Sequence, residues 1–251
     1  MGAEPSLVQE RWLWLAGSVI IAILTSWGIW LLKSSRNTAA WWERWQEWSG
    51  TPWIVQILRL LYAVGIPALA LFWRGALTER GLGLQPLPLS DAPVVAESLG
   101  VQWREWVTDL GWAMGIMIGT GTVFLLSQHM AKSTTQAGEG TKRSFGVALR
   151  EAVYHQSHWA FYREPFVLAL GAGLGAWAGL IPVTLEAILA PTYWEDIRTS
   201  HKQQGLLLQG FLMAVSAVLY IQTQNLWLAL LVDILLRWQI GMHPPQPGEV
   251  A

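Results

Sequence analysis

Long uninterrupted apolar runs dominate this chain, in place of the alternation of apolar and polar positions that marks a soluble domain. Trp12 to Leu32 contains no charged residue and is bracketed by Arg11 and Lys33. A membrane-spanning helix needs roughly 20 mostly apolar residues, so this run predicts the first span. It is too long for a signal-peptide core and no small-residue cleavage site follows it, so it is expected to be retained. Trp53 to Trp73 predicts the second span, with Arg59 near enough to one end to snorkel to the headgroups. Leu110 to Gln128 predicts the third. Phe166 to Leu189, rich in Gly and Ala, Leu206 to Gln222 and Leu226 to Ile240 predict a compact C-terminal set. Phe145 to Tyr162 is apolar on one side and carries Arg150, Glu151, His155 and His158. It fits an interfacial helix or a span whose polar face looks into the bundle. Counted as a span, it gives an all-α fold, a polytopic bundle of about seven transmembrane helices.

The connections read as follows. Ala40 to Trp48 places Trp41, Trp45 and Trp48 at helical spacing and predicts a helix lying in the interface. Gly75 to Thr108 holds Pro86, Pro88 and Pro93 with Gly81 and Gly83, a helix-breaking composition, and is expected to be an extramembrane loop. Ser133 to Thr141 is small and polar, a flexible segment, and the tail from His243 to Ala251, with three prolines, should be extended. There is no internal repeat. One membrane domain, 1–251, is expected, made of N-terminal helices (1–76), a C-terminal core (77–240) and a Pro-rich tail (241–251). Lys33, Arg36 and Arg44 follow the first span, and Lys132, Lys142 and Arg143 follow the third, whereas the long connection between the second and third has more acids than bases. The positive-inside rule then puts the N-terminus outside and the C-terminus in the cytoplasm.

Composition sharpens this picture. The chain is 53% hydrophobic and only 13% charged, with a mean hydropathy of +0.33, which excludes disorder and fits a chain living in lipid. Its net charge of −1 gives no electrostatic footprint for nucleic acid. Without cysteine there can be no disulfide scaffold, thiolate metal site or cysteine nucleophile. The 18 tryptophans fit many crossings of the membrane interface, where the indole has one wet and one oily edge.

A charge at the bilayer centre costs about 2.5 to 3.5 kcal/mol on insertion scales, so each one needs a partner or a purpose. Arg150, Glu151, His155, His158, Glu186, Asp233 and Arg237 all lie in the C-terminal half. Spacing of four puts Glu151 under His155 and Asp233 under Arg237 on their helix faces. Structural neutralisation is one reading, with Glu151 against Arg150 or His155 and Asp233 against Arg237. A second makes Glu151 a general base for water beside a histidine. A third binds a divalent metal through Glu151, His155, Glu186 and Asp233, against which Arg150 and Arg237 bring positive charge. Gly171, Gly173, Gly175 and Gly179 imitate a dinucleotide fingerprint, but no strand precedes them; as small residues inside a span they predict close helix packing. His129, His201 and His243 fall in loops or near an end, where solvation suffices. No motif calls for a cofactor or a metal.

Three segments resemble the CAAX prenyl protease and bacteriocin-processing family of intramembrane proteases, which includes lysostaphin-resistance-like proteins. Leu77 to Leu84 (LTERGLGL) resembles a Leu-Gly-Leu segment before the family's catalytic helices, and Leu149 to Gln156 (LREAVYHQ) resembles its Glu-Glu-x-x-x-Arg motif. Leu219 to Trp238 resembles the tight Thr-Gly-Ser-Leu-Trp turn that leads into His-x-x-x-Asn. The likeness implies a CAAX-protease-like core over roughly residues 77 to 240. It also implies an altered active site. The first Glu of the pair becomes Arg150, the second stays as Glu151, and the motif's Arg becomes His155. By spacing, Glu186 stands where the His of Phe-x-x-x-His belongs, and Asp233 and Arg237 replace the last His and Asn.

The resulting expectation is a non-catalytic member of that fold in a bacterial cytoplasmic membrane. It would act as an accessory or assembly subunit beside other integral membrane subunits, with lipid and no nucleic acid as its surroundings. The alternative is an active intramembrane endopeptidase with a rearranged site of Glu151, His155, Glu186 and Asp233. A small transporter with spans broken near Pro67 and Pro182 is a third reading.

Overall fold

The computed structural model describes residues 6–73, 75–85, 96–132 and 144–240. The Ser133–Thr141 segment, the tail from His243 and the prolines at 86, 88 and 93 lie outside the described residues. Among those described, every regular element is helical. Three helical stretches are long and apolar enough to cross a membrane, Leu7–Ser34, Thr51–Phe72 and Gly205–Thr223, and Phe145–Ala178 with Leu180–Leu189 qualifies as a bent pair. The chain divides into two compact units, Met1–Leu82 with Ser157–Leu208, and Gly83–Gln156 with Gln209–Ala251.

In the first unit, α1 (Leu7–Ser34) starts at a capping box. The Ser6 hydroxyl accepts from the Gln9 amide and the Gln9 side chain accepts from the Ser6 amide, satisfying two otherwise orphaned donors. Ser35 then separates it from α2 (Arg36–Glu47), the Trp-rich helix expected from residue 40 onward. Within it Trp42 packs on Trp45 and lies beneath the Lys33 ammonium, 5.7 Å from the ring centre. The second predicted span is α3 (Thr51–Leu60), a π-helical turn (Leu61–Gly65) and α4 (Ile66–Phe72). Pro67 lacks an N–H and would collide with the carbonyl four residues back in a regular helix. The chain widens to a π turn, with the Ile66 amide donating to the Leu61 carbonyl, so Pro67 bulges the helix without breaking it.

The main departure from expectation is in α7 (Phe145–Ala178) and α8 (Leu180–Leu189). The sequence predicts two helices separated between Tyr162 and Phe166. Instead the helix runs straight through Pro165 and is interrupted at Gly171, where φ is 80° and ψ 168°. That conformation is open to glycine and strained for other residues. Beyond it the chain folds back on itself. A Cβ built at Gly175 would lie 2.4 Å from the Val167 Cα, and one at Gly179 would lie 2.6 Å from the Arg163 Cα. Sixteen residues of unbroken helix would separate the second pair by about 24 Å. The element is therefore a helical hairpin with Gly171 at its tip. Two of the four glycines, Gly175 and Gly179, provide the close packing expected of them, Gly171 makes the turn, and Gly173 faces open space.

α1 packs on α4, α8 and α9 (Pro191–Ile197). The Trp27 indole donates to the Leu189 carbonyl and the Trp30 indole to Glu195. α5 (Glu79–Leu82) ends the N-terminal part of this unit in the chain.

In the second unit, α6 (Ala96–Lys132) is one helix of 37 residues containing the whole predicted third span. Its first turns correct the expectation of a loop as far as Thr108: no proline falls between Ala96 and Thr108, so nothing there stops a helix from continuing. α10 (Ser200–Thr223) from Gln209 onward and α11 (Leu226–Ile240) complete the set, and α11 packs along α6.

Candidate functional site

The α10–α11 connection is the tightest device in the second unit. Gln224 takes a left-handed φ of 46°, and Asn225, fully buried, caps α11 by accepting from the Trp227 and Leu228 amides at 3.0 and 3.4 Å. The segment before α6 locks onto this turn. The Gly83 carbonyl accepts from the Leu226 amide at 2.8 Å, the Gln85 side-chain amide donates to the Thr223 carbonyl, and the Trp227 indole donates to the Gln85 carbonyl. Gly83 has a φ of 82°, and a Cβ there would stand 3.0 Å from the Gln224 carbonyl. The Leu-Gly-Leu segment and the tight turn, read separately in the sequence, thus meet directly. The Asn225 side chain also bonds Asp109 of α6, whose carboxyl is pushed above its ordinary range by burial, an effect this bond opposes. Asn225→Ala should cost about 1–2 kcal/mol, as loss of a helix cap does. Thermal unfolding in detergent, followed by circular dichroism, reads it.

Asp233 and Arg237 pair as their spacing predicts. Arg237 Nε donates to Asp233 Oδ1 at 2.7 Å, with both side chains buried. The other Asp233 oxygen accepts from Gln156 of α7 at 3.0 Å, and Gln156 in turn accepts from the Ser216 hydroxyl of α10 at 2.8 Å. One buried chain of polar groups therefore ties α7, α10 and α11 together. Arg150 meets Glu151 at 3.2 Å. The His155 Nδ1 lies 2.7 Å from the Glu151 backbone carbonyl and its Nε2 lies 2.9 Å from the Gln209 side-chain amide, so both ring nitrogens have a polar neighbour.

Glu186 belongs to the first unit, among different partners. Its Oε1 accepts from the Tyr62 hydroxyl at 2.8 Å and from the Tyr162 hydroxyl. The two phenol oxygens are 3.0 Å apart, and Ser18 of α1 lies 3.1 Å from Tyr162 and 3.4 Å from Tyr62. His158 packs its ring against both tyrosines and brings Nε2 to 4.0 Å from Glu186. The same unit holds Glu164, fully buried, with Arg11 at 3.6 Å and the Thr78 hydroxyl at 3.5 Å; Arg11 also donates to the Ala76 carbonyl.

The four residues proposed for a rearranged catalytic site are thus divided: Glu186 has the tyrosines, Asp233 has Arg237 and Gln156, Glu151 has Arg150, and His155 has Gln209. Among the described residues no three His, Asp or Glu side chains gather as a metal would require. Sequence reasoning missed Ser18, Tyr62, Tyr162, Gln156, Ser216 and Glu164. The one signal for any of them was the spacing of four between His158 and Tyr162, which puts both on one helix face. Compared with protein families, curated proteins and solved structures, the chain finds no match.

Proposed function

We propose that this chain is a non-catalytic, CAAX-protease-like integral membrane protein. It crosses a bacterial cytoplasmic membrane seven times, ends in the cytoplasm, and serves as an accessory or assembly subunit packed against other membrane subunits. The observation that carries the reading is the engagement of the groups hydrolysis would need. Glu151 is held by Arg150, Asp233 by Arg237 and Gln156, and the two ring nitrogens of His155 lie against the Glu151 carbonyl and the Gln209 amide. A general base must be poised against water, and each of these groups is engaged with a protein partner instead.

The packing surface has support as well. Gly111, Gly115 and Gly119 recur every fourth residue on α6, and a Cβ at any of them would meet nothing within 4 Å. In lipid, such stripes let a neighbouring helix approach closely. The test is purification of the tagged full chain from native membranes in mild detergent, with co-purifying proteins identified by mass spectrometry. Wild type and Glu151→Ala should recover the same partners at the same stoichiometry, and Gly115→Leu should lose them. Recovery of no partner from wild type, with uncleaved substrate accumulating in Glu151→Ala, would replace this reading with an active endopeptidase.

A further inference from the structure

Outside the ion pairs, the first unit gathers one titratable cluster that the subunit reading leaves unused. Ser18 comes from the middle of α1, Tyr62 from the π turn, His158 and Tyr162 from successive turns of α7, and Glu186 from α8. Four separately placed stretches thus converge on one carboxylate. The π turn is what delivers Tyr62, and such turns recur at functional sites. The hydrogen bonds the cluster makes to Glu186 come from hydroxyls, and among the described residues no guanidinium or ammonium pairs with it as Arg237 pairs with Asp233. The His158 imidazole stands 4.0 Å away, held between two phenol rings at centroid distances of 4.7 and 4.2 Å.

The other charges on the surrounding elements are placed elsewhere. Arg11 of α1 faces Glu164 of α7, and Lys33 covers Trp42. Arg163 of α7 lies along Gly179, at the far end of α8 from Glu186. Glu195 of α9 receives the Trp30 indole. Arg59 of α3 is exposed, Glu10 and Asp196 sit at the N-terminal end of α1 and in α9, and α8 has no second charged residue.

We propose that Glu186 and His158 form a proton-binding pair that holds one exchangeable proton inside the bundle. With the proton bound the pair is net neutral, either as carboxylic acid beside neutral imidazole or as carboxylate beside imidazolium. Release to water leaves a carboxylate beside neutral imidazole, with one net negative charge. The hydroxyls of Tyr62, Tyr162 and Ser18 each donate and accept, so they can turn to serve either state. Two groups this close titrate as one system, and the macroscopic steps belong to the pair.

The full chain, reconstituted in phosphatidylcholine nanodiscs, tests this by titration from about pH 4 to about pH 9, a range that covers ordinary carboxyl and imidazole groups. Infrared difference spectra read the carboxyl groups, with Glu186→Gln identifying the Glu186 signal. Nitrogen-15 spectra read the imidazoles, with His158→Gln identifying His158. The expected result is a Glu186 signal and a His158 signal that change with the same midpoint, and a His158 midpoint displaced by on the order of one unit in Glu186→Gln. Tyr162→Phe keeps the ring and removes one donor to the carboxylate, which disfavours the charged form; it should move the shared midpoint to higher pH, and it serves if Glu186→Gln does not fold. A His158 midpoint indifferent to Glu186→Gln or Tyr162→Phe would overturn the proposal. So would Glu186 and His158 signals that both stay unchanged across the range.

Discussion

Replacing Gly175 by alanine should unfold or severely loosen the α7–α8 hairpin, at a cost of about 3 kcal/mol or more. The added methyl would sit 2.4 Å from the Val167 Cα and 2.5 Å from its amide nitrogen. Both are backbone atoms, so no side chain can rotate away, and relief requires the two arms to part. Parting them would also separate Tyr162 and His158 on one arm from Glu186 on the other. Gly173 supplies the internal control. It lies two residues away in the same arm, yet nothing stands within 4 Å of its Cβ position. Gly173→Ala should be neutral or stabilising by up to about 1 kcal/mol, the helix propensity difference. Thermal unfolding of the two variants in the same detergent separates a hairpin from a straight helix, since in a straight helix both alanines would be tolerated.

The second large effect is expected at Asp233. Asp233→Ala leaves Arg237, 5% exposed, without its partner and Gln156 without its acceptor, and breaking a buried pair in this way costs about 3–5 kcal/mol. Arg237→Ala should cost a similar amount. The double variant Asp233→Leu with Arg237→Met removes both charges, so it should recover most of the loss and fall short of wild type by about 1–3 kcal/mol, the cost of the acceptor that Gln156 still lacks. A double variant as unstable as the singles would mean that the pair's charges serve more than mutual neutralisation.

How much of this was legible in the sequence depends on the length scale of each interaction. Apolar runs set the helices, because a run such as Trp12 to Leu32 has one stable solution in lipid, and α1 extends it by only a few residues at each end. Spacing of four foretold the Asp233–Arg237 pair because both partners ride one helix. The hairpin turn was misplaced because Pro165 and the adjacent Arg163 and Glu164 look like a boundary. Yet a proline is tolerated inside a membrane helix when neighbouring groups satisfy the freed carbonyl, whereas an innocuous glycine at 171 carries the positive φ. The tyrosine cluster was illegible for another reason. Ser18, Tyr62 and Glu186 are far apart in sequence, and an isolated hydroxyl in an apolar run looks the same whether it faces lipid or a carboxylate. The tyrosine partners of Glu186 have the same origin. Spacing within one helix constrains a face, but which helices meet is decided by turns such as the one at Gly171.

If, as proposed, the charged residues of the second unit only hold a packing scaffold together, removing a pair of them should leave assembly untouched. Native mass spectrometry of the complex purified with Asp233→Leu/Arg237→Met, beside wild type, should show the same partner subunits at the same stoichiometry, because the bundle and its glycine-lined α6 face are kept. Loss of the complex, or accumulation of an uncleaved membrane substrate, from a double variant that is folded would contradict that reading.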